Sequence, residues 1–315
     1  MMRCLAAAAL LCCALGSAAA ELRCAGVAYV DANTAAAQLG LRPVPKSDGA
    51  IFAAGRERLV LTSNKNGCIF AGTKIALSFP AIRRDGRLYV SRLDLEKTLA
   101  PLSARRTGVV RHRVGLITVD PGHGGYDQGA SGRVLREKFA TLLLAGRVAT
   151  LLRACGFRVR MTRGIDCYLP LGERCRIQRA SKSDLFVSIH LNAAVNRTLR
   201  GIETYALTPT GAASSSGGKP SSRSFSGNRN DANNVLLANL IQQALLKRTG
   251  AFDRGVKRAR FAVLRDITVP GVLIEVGFLS NFHEEKLLLD PNYREKLARG
   301  IAEGIIVYQR AVARR

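Results

Sequence analysis

The run Leu116-Ile117-Thr118-Val119-Asp120-Pro121-Gly122-His123-Gly124-Gly125 constrains this chain more than any other stretch. Residues 114–119 read as a buried strand, and Asp-Pro-Gly stops it abruptly. A fold containing this strand must present His123, flanked by glycines that leave its imidazole uncovered, at a strand end. Such an imidazole can ligate a metal or shuttle protons. Taken alone, a histidine in a glycine-rich turn is more often a turn residue, so its company decides the reading.

That company is an alternation of strands and helices. A helix with Glu137 near its start runs to Cys155, has Leu144, Val148, Leu151, Leu152 and Cys155 on one face and ends at Gly156. A strand follows over 157–161, then a basic helix over 170–180. The apolar strand 185–190 ends on His190, and another strand covers 201–207. Residues 208–230 are rich in Ser, Gly and Thr without hydrophobic periodicity, the pattern of a mobile loop. Asp231 can cap a helix that turns Leu237, Leu240, Ile241, Ala244 and Leu245 inward and stops at Gly250. Residues 261–264 and 272–276 read as apolar strands. Asp290-Pro291 is an N-cap and first-turn pair for a last helix burying Leu297, Ile301, Ile305 and Tyr308. The pattern predicts an α/β domain over 114–312, a largely parallel twisted sheet flanked by helices.

The 315 residues allow a second domain. Residues 24–105 predict a small α+β domain: a strand over 26–30, a helix capped by Asp31 or Asn33 and closed by Gly40, and strands over 50–53, 59–62, 68–70, 75–79 and 88–90. A helix over 92–99 completes it. The basic segment 106–113 reads as a linker, with His112 solvated. Residues 1–20 form a secretory signal: Arg3, the apolar run 5–15, and Ala18-Ala19-Ala20, with cleavage expected before Glu21. The run is short for a span, so no transmembrane anchor is expected after cleavage, an uncleaved anchor being the alternative. Export to the periplasm, envelope or exterior follows.

Three of the eight cysteines, Cys4, Cys12 and Cys13, leave with the signal. Export permits disulfides. Cys24–Cys68 and Cys167–Cys175 are candidate pairs, leaving Cys155 free and buried at a helix end, although sequence does not fix connectivity. The net charge of +25 suits an anionic polymer or surface such as cell wall, and an Arg-rich coding bias explains it equally well. Export and an aromatic content of 6% give nucleic acid little support as a partner.

His123, Glu137 and His190 supply a His₂Glu ligand set, each at an element boundary. A catalytic zinc keeps three protein ligands and one open position, and brings its water to a pKa of about 7. A nearby carboxylate must then accept the proton and hand it on. Glu275 fits, because it interrupts the apolar strand Val272-Leu273-Ile274-Glu275-Val276, where an unpaired carboxylate is costly. Each residue has a plainer reading: Glu137 a solvated helix residue, His190 a satisfied core histidine, Glu275 the partner of an arginine. All four plain readings holding together is the weaker account. His283, at a helix start, is expected to lie at the surface or to cap.

These motifs, with Ser188-Ile189-His190-Leu191-Asn192-Ala193, Ile274-Glu275-Val276-Gly277-Phe278-Leu279-Ser280-Asn281, Asp253-Arg254-Gly255-Val256-Lys257 and Val263-Leu264-Arg265, resemble the zinc-dependent N-acetylmuramoyl-L-alanine amidases of the AmiC type. The resemblance covers about 114–308. It implies zinc held by His123, Glu137 and His190, Glu275 as general base and acid, and Asn192 helping to position substrate. It implies hydrolysis of the amide joining the lactyl group of N-acetylmuramic acid to L-alanine in peptidoglycan, with a protein activator as a possible partner. Arg174-Cys175-Arg176-Ile177-Gln178-Arg179 departs from the family's Arg-x-x-Ile-Ala-Asn run. Some members carry an inhibitory helix where this chain has its Ser/Gly loop, so no such autoinhibition is expected here. The run Gly86-Arg87-Leu88-Tyr89-Val90-Ser91 and the helix after it resemble copper amine oxidase N-terminal-like domains. With no histidine in that segment, a binding or spacing role is expected rather than copper. Two other functions fit the residues: a zinc peptidase cutting within the stem, and a non-catalytic wall-binding protein.

Overall fold

The computed structural model describes residues 22–44 and 50–313. The expected signal and its cleavage point lie outside the described residues. The first part runs β1 (Leu22–Cys24), β2 (Val27–Asp31), α1 (Ala32–Leu39), β3 (Arg42–Val44), β4 (Ala50–Ala54), β5 (Glu57–Leu61), β6 (Gly67–Phe70), β7 (Thr73–Ala76), β8 (Ile82–Arg84) and β9 (Arg87–Ser91). Two short α-helical pieces, α2 (Arg92–Asp94) and α3 (Ala100–Leu102), flank a π-helical turn, Leu95–Leu99. Asp31 caps α1, its carboxylate accepting from the Asn33 and Thr34 amides. The second part runs β10 (Leu116–Pro121), α4 (Glu137–Ala154), β11 (Arg158–Met161), α5 (Leu171–Ser181), β12 (Leu185–Asn192), β13 (Ile202–Leu207), α6 (Asp231–Thr249), β14 (Asp253–Ala259), α7 (Ala262–Arg265), β15 (Gly271–Phe278), α8 (Phe282–Leu289) and α9 (Pro291–Val312).

Strands β11, β10, β12, β15, β13 and β14 form one end of a mixed sheet, with β11 at its edge. All their pairings are parallel except β13 with β15. The largely parallel sheet read from the sequence is therefore present, with one reversed strand pair. The sheet does not stop at the end of this α/β part. Val256 of β14 pairs with Ile75 of β7, and the antiparallel strands β6, β5, β4 and β3 follow, giving eleven strands. A separate sheet of order β1-β2-β9-β8 accompanies them.

Strand periodicity sorts the two faces. Ile117, Val119, Val187, Ile189, Ile202, Val272 and Ile274 turn toward α4, α6 and α9, packing on Leu144, Val148, Leu237, Ile241, Ile301 and Ile305. The alternate residues turn the other way. There Phe186, Leu207 and Leu273 pack with Cys175 of α5 and Val263 and Leu264 of α7 in a smaller cluster. That second face is only partly covered, and it carries Asp120, Ser188, His190, Glu203 and Glu275.

Several expectations are corrected. Residues 261–264 hold a helical turn, α7, not a strand, because a four-residue apolar run has no period that separates the two. Asn230, not Asp231, is the N-cap of α6; Asp231 is its first residue and accepts from Asn228 Nδ2 at 2.9 Å. The 208–230 segment is held rather than loose. Ser215 donates to the Arg258 carbonyl at 2.8 Å and its hydroxyl accepts from the Arg258 amide, which covers the β14 edge beyond β7. It contains a 3₁₀ turn, Ser226–Asn230, and no α-helix. The 106–113 segment is pinned too: Val110 exchanges hydrogen bonds with the Asn233 amide, and the His112 amide donates to Val312. His112 is half-buried against Tyr308, with ring centroids 5.9 Å apart, instead of solvated. His283 is exposed at the start of α8, where Asn281 is the cap.

All five described cysteines are free thiols, so neither candidate disulfide forms, and Cys155 is exposed as the C-cap of α4 instead of buried. Cys24 and Cys155 are exposed while Cys68 and Cys175 are buried, and burial pushes the Cys175 thiol up to about 11. In the reduced native protein at pH 8, a thiol reagent is expected to modify Cys24 and Cys155 within minutes. Cys68 and Cys175 should react only on unfolding. Mass spectrometry of the labelled peptides checks this, and fast labelling of Cys68 would contradict the packing.

Candidate active site

The open face of the sheet gathers its polar residues by register. His190 of β12 pairs with Glu275 of β15, and Glu275 pairs in turn with Glu203 of β13. One transverse row thus runs across three neighbouring strands. Asp120 of β10 lies beside Ser188, two residues before His190. Beyond β10, the turn 122–125 folds over the end of this row.

His123 stands in that turn with φ of 59°, in the left-handed region. Its fellow Gly122 is required by a close approach: a Cβ there would lie 2.3 Å from His190 Cε1. A Cβ on Gly129 would meet both the Glu137 carboxylate and the His123 ring at 2.5 Å. Glu137 opens α4, so the helix start places a buried carboxylate beneath both imidazoles. Its Oε1 lies 3.2 Å from His123 Nε2 and 2.8 Å from His190 Nδ1. The two imidazoles meet edge-on at 4.9 Å. One ligand atom from each of the three residues falls within 4.8 Å of the others, an arrangement that could hold a metal ion. Glu137 is fixed from behind by the Ala130 amide on Oε2 and the Leu191 amide on Oε1. Burial opposes its ionisation, but His123 and His190 outweigh that and hold its pKa well below the ordinary carboxylate range. His123 Nδ1 lies 2.9 Å from Asp127 Oδ2. That contact orients the ring and leaves Nε2 for the cluster, as outer carboxylates do for metal-binding histidines. Burial draws the His123 pKa down, and Glu137 and Asp127 more than restore it, leaving it raised.

The turn itself is bolted down by two arginines. Arg174 of α5 donates to Asp120 Oδ1 at 2.7 Å, to the Pro121 carbonyl at 2.7 Å and to the His123 carbonyl at 2.8 Å. Arg163 donates to the Pro121 and Gly122 carbonyls and to Lys138 O. Thr162 and Ser188 hydroxyls complete the partners of Asp120.

Glu275 lines the pocket that also holds His123 and His190, about 410 Å³ in volume. Among the described residues no arginine pairs with its carboxylate, and Oε2 is shut off from solvent with no hydrogen-bond partner. Burial pushes its pKa well up, the Glu137 and Glu203 carboxylates add to this, and Lys257 works against it. Asn192 does not point freely into the pocket. Its Nδ2 donates to Glu203 Oε1 at 2.8 Å.

Glu203 is the residue that the sequence reading passed over. Tyr205 OH donates to its Oε1, while Arg254 Nε and Lys257 Nζ donate to Oε2 at 2.8 and 2.5 Å. Burial opposes its ionisation, and Lys257, Tyr205 and Arg254 override that to lower its pKa. The signal was available: Glu203 breaks the strand Ile202-Glu203-Thr204-Tyr205 as Glu275 breaks its own. Asp127, four residues after His123, was missed as well.

Two imidazoles and a carboxylate converging beside strand ends, with an unpartnered buried carboxylate facing the same pocket, define a hydrolase site of the metal-binding kind. The chain belongs to the N-acetylmuramoyl-L-alanine amidase family, whose model (Amidase_3) matches residues 117–307. It is 37% identical over 246 residues to the amidase AmiC of Neisseria meningitidis serogroup B, covering 68% of this chain and 57% of that protein. It is 34% identical over 218 residues to AmiA of Escherichia coli K12, covering 61% of this chain and 75% of that one. The chain thus spans little more than half the length of its meningococcal relative. Among solved structures, the catalytic domain of CwlV, an amidase from Bacillus (Paenibacillus) polymyxa, superposes with a TM-score of 0.53 at 32% identity. That match covers 63% of this chain and 99% of CwlV's domain. The CwlD amidase of Clostridioides difficile, solved in complex with the GerS lipoprotein, gives a TM-score of 0.53 at 29% identity and covers 62% of this chain and 99% of that one.

Proposed function

We propose that this protein is a zinc-dependent peptidoglycan hydrolase that cleaves the amide between the lactyl group of N-acetylmuramic acid and the L-alanine of the stem peptide. The observation that carries the reading is the convergence of His123, Glu137 and His190 beside Glu275, within the segment the family model matches. The N₂O donor set suits zinc, and Asp127 behind His123 supplies the outer support that zinc sites carry. His123 Nε2, His190 Nδ1 and a Glu137 oxygen would hold the ion. Zinc, when bound, supplies Lewis-acid polarisation of the scissile carbonyl and a nucleophilic water at neutral pH.

The chain's own residues do the rest. Glu275 takes the proton from the attacking water as the C–O bond forms. It returns that proton to the alanine nitrogen as the C–N bond breaks, so the products are the lactyl carboxylic acid and a free amine. Its raised pKa suits both halves of that exchange. We assign to Asn192, held by Glu203, a part in positioning substrate. We assign residues 1–20 to an export signal, 24–105 to a binding or spacing part, and 114–312 to catalysis, in the periplasm, envelope or exterior. The 208–230 segment carries no helix that could plug the site, so the mature protein is expected to be active without release of such a plug.

The mature protein incubated with purified peptidoglycan should release free stem peptides beginning with L-alanine, read by mass spectrometry. A zinc chelator should reduce the rate by at least about 10²-fold, and added zinc should restore it. Peptides cut within the stem would replace this reading with a peptidase. Intact stems with the wall pulled down would replace it with a binding protein.

A further inference from the structure

The catalytic row does not end at Glu203. Next along the sheet stand Arg254 and Lys257 of β14, both held by Glu203 Oε2. These two side chains also line a separate cavity of about 640 Å³. Its far wall is the outer face of β5, β6 and β7, where Val60, Ile69 and Lys74 stand in register, and its rim includes Ser214 and Ser215. Four cationic side chains line it, Lys65, Lys74, Arg254 and Lys257, and no acidic one does among the described residues. Lys65 and Lys74 are exposed, the Lys74 ammonium lying 4.6 Å from the centre of the Phe252 ring.

We infer that this cavity is a subsite for the carboxylates of a peptide, and that it receives the carboxylate-bearing stem of the substrate as it leaves the catalytic row. The inference rests on the amidase reading above for the identity of the peptide. Two observations support it. The first is reach. From Glu275 to β14 is two strand spacings, about 10 Å. An extended peptide advances about 3.3–3.6 Å per residue, so the second and third residues after the cleaved bond arrive at Arg254 and Lys257. The second is charge. Glu203 neutralises only one of the two cations it holds, so the near wall keeps a net positive charge, and Lys65 and Lys74 add to it. The first part of the chain thereby acquires a role: its β5–β7 strands are the far wall of the substrate groove.

The test is a titration of the metal-free mature protein with the tetrapeptide L-Ala-γ-D-Glu-L-Lys-D-Ala and with the same peptide carrying both carboxylates as amides. The acid is expected to bind about 10-fold more tightly than the amide at low salt, with the preference shrinking as salt rises. The double variant K65E/K74E, which alters exposed side chains only, should remove the preference; thermal unfolding checks that it folds. Equal affinities for acid and amide in the wild type would overturn the inference, as would a preference that survives in K65E/K74E. Because turnover plays no part in the titration, a protein that binds the acid selectively yet cleaves no peptidoglycan would keep the subsite and lose the amidase reading. Cleavage without any selectivity would do the reverse.

Discussion

Replacing Glu275 with Gln is expected to lower peptidoglycan hydrolysis by about 10³-fold while the protein still binds one zinc per chain. The argument starts from position. Glu275 shares a pocket with the His123 and His190 imidazoles but contributes no atom to the three-residue cluster. Removing its charge leaves those ligands in place and, among the described residues, removes the one carboxylate lining that pocket apart from Asp127, which is bonded to His123. Gln keeps the size and the polar end, so the packing around Val272, Ile274 and Val276 is undisturbed. A second effect has the opposite sign. A carboxylate whose folded pKa lies above its unfolded one costs stability once the pH exceeds the unfolded value, and the cost relaxes as pH falls through the folded pKa. Glu275 is such a group, through burial first and the neighbouring Glu137 and Glu203 second. The metal-free E275Q protein should therefore melt a few degrees higher than the wild type at pH 7, and the gap should close as the pH is lowered. Turnover assays, metal analysis and melting curves read the three quantities separately. Wild-type turnover in E275Q would remove Glu275 from the mechanism, and loss of zinc would make it a ligand.

Much of this site is legible in the sequence because its chemistry sits where local patterns break. His123 follows a strand terminator, His190 ends an apolar run, and Glu275 interrupts one. Each is a polar residue in a place where burial needs a reason. Glu203 obeys the same rule, interrupting the strand Ile202-Glu203-Thr204-Tyr205. Pairings were harder. Which strands become neighbours is fixed by contacts far apart in sequence, so the union of β14 with β7 through Val256 and Ile75 leaves no local trace. The segment 253–259 alternates weakly because Arg254, Lys257 and Arg258 occupy it, and it was not read as a strand. Arg258 is fully buried, donating to the Lys97 carbonyl and the Thr98 hydroxyl across the two parts of the chain. Charge count alone places such a residue at the surface. The same holds for the basic 106–113 segment, whose backbone rather than its side chains is held by Asn233 and Val312. Disulfides failed for a different reason: an exporting context permits them but does not bring two sulfurs together.

Arg174 shows how a residue outside the ligand set can matter as much as one within it. Substituting Arg174 with Met is expected to lower the melting temperature by on the order of 10 °C and to weaken zinc binding by about 10-fold or more. Arg174 and Asp120 form a salt bridge with side chains 3% and 0% exposed. Removing one partner of a buried pair costs about 3–5 kcal/mol, because the other charge stays buried without compensation. Here Asp120 would retain only the Thr162 and Ser188 hydroxyls. The same guanidinium also accounts for the Pro121 and His123 carbonyls, so the left-handed turn that aims His123 loses its support on one side. Arg163 would still hold Pro121 and Gly122, which limits the damage to the His123 end. The two effects separate by a second substitution. The D120N/R174M double variant removes the stranded charge and should recover most of the melting temperature, yet the His123 carbonyl remains unsupported, so zinc affinity should stay low. Recovery of both together would mean that the pair acts on the metal site only through global stability. Recovery of stability alone would place Arg174 as a positioning residue for His123, set by its hydrogen bond to that one carbonyl.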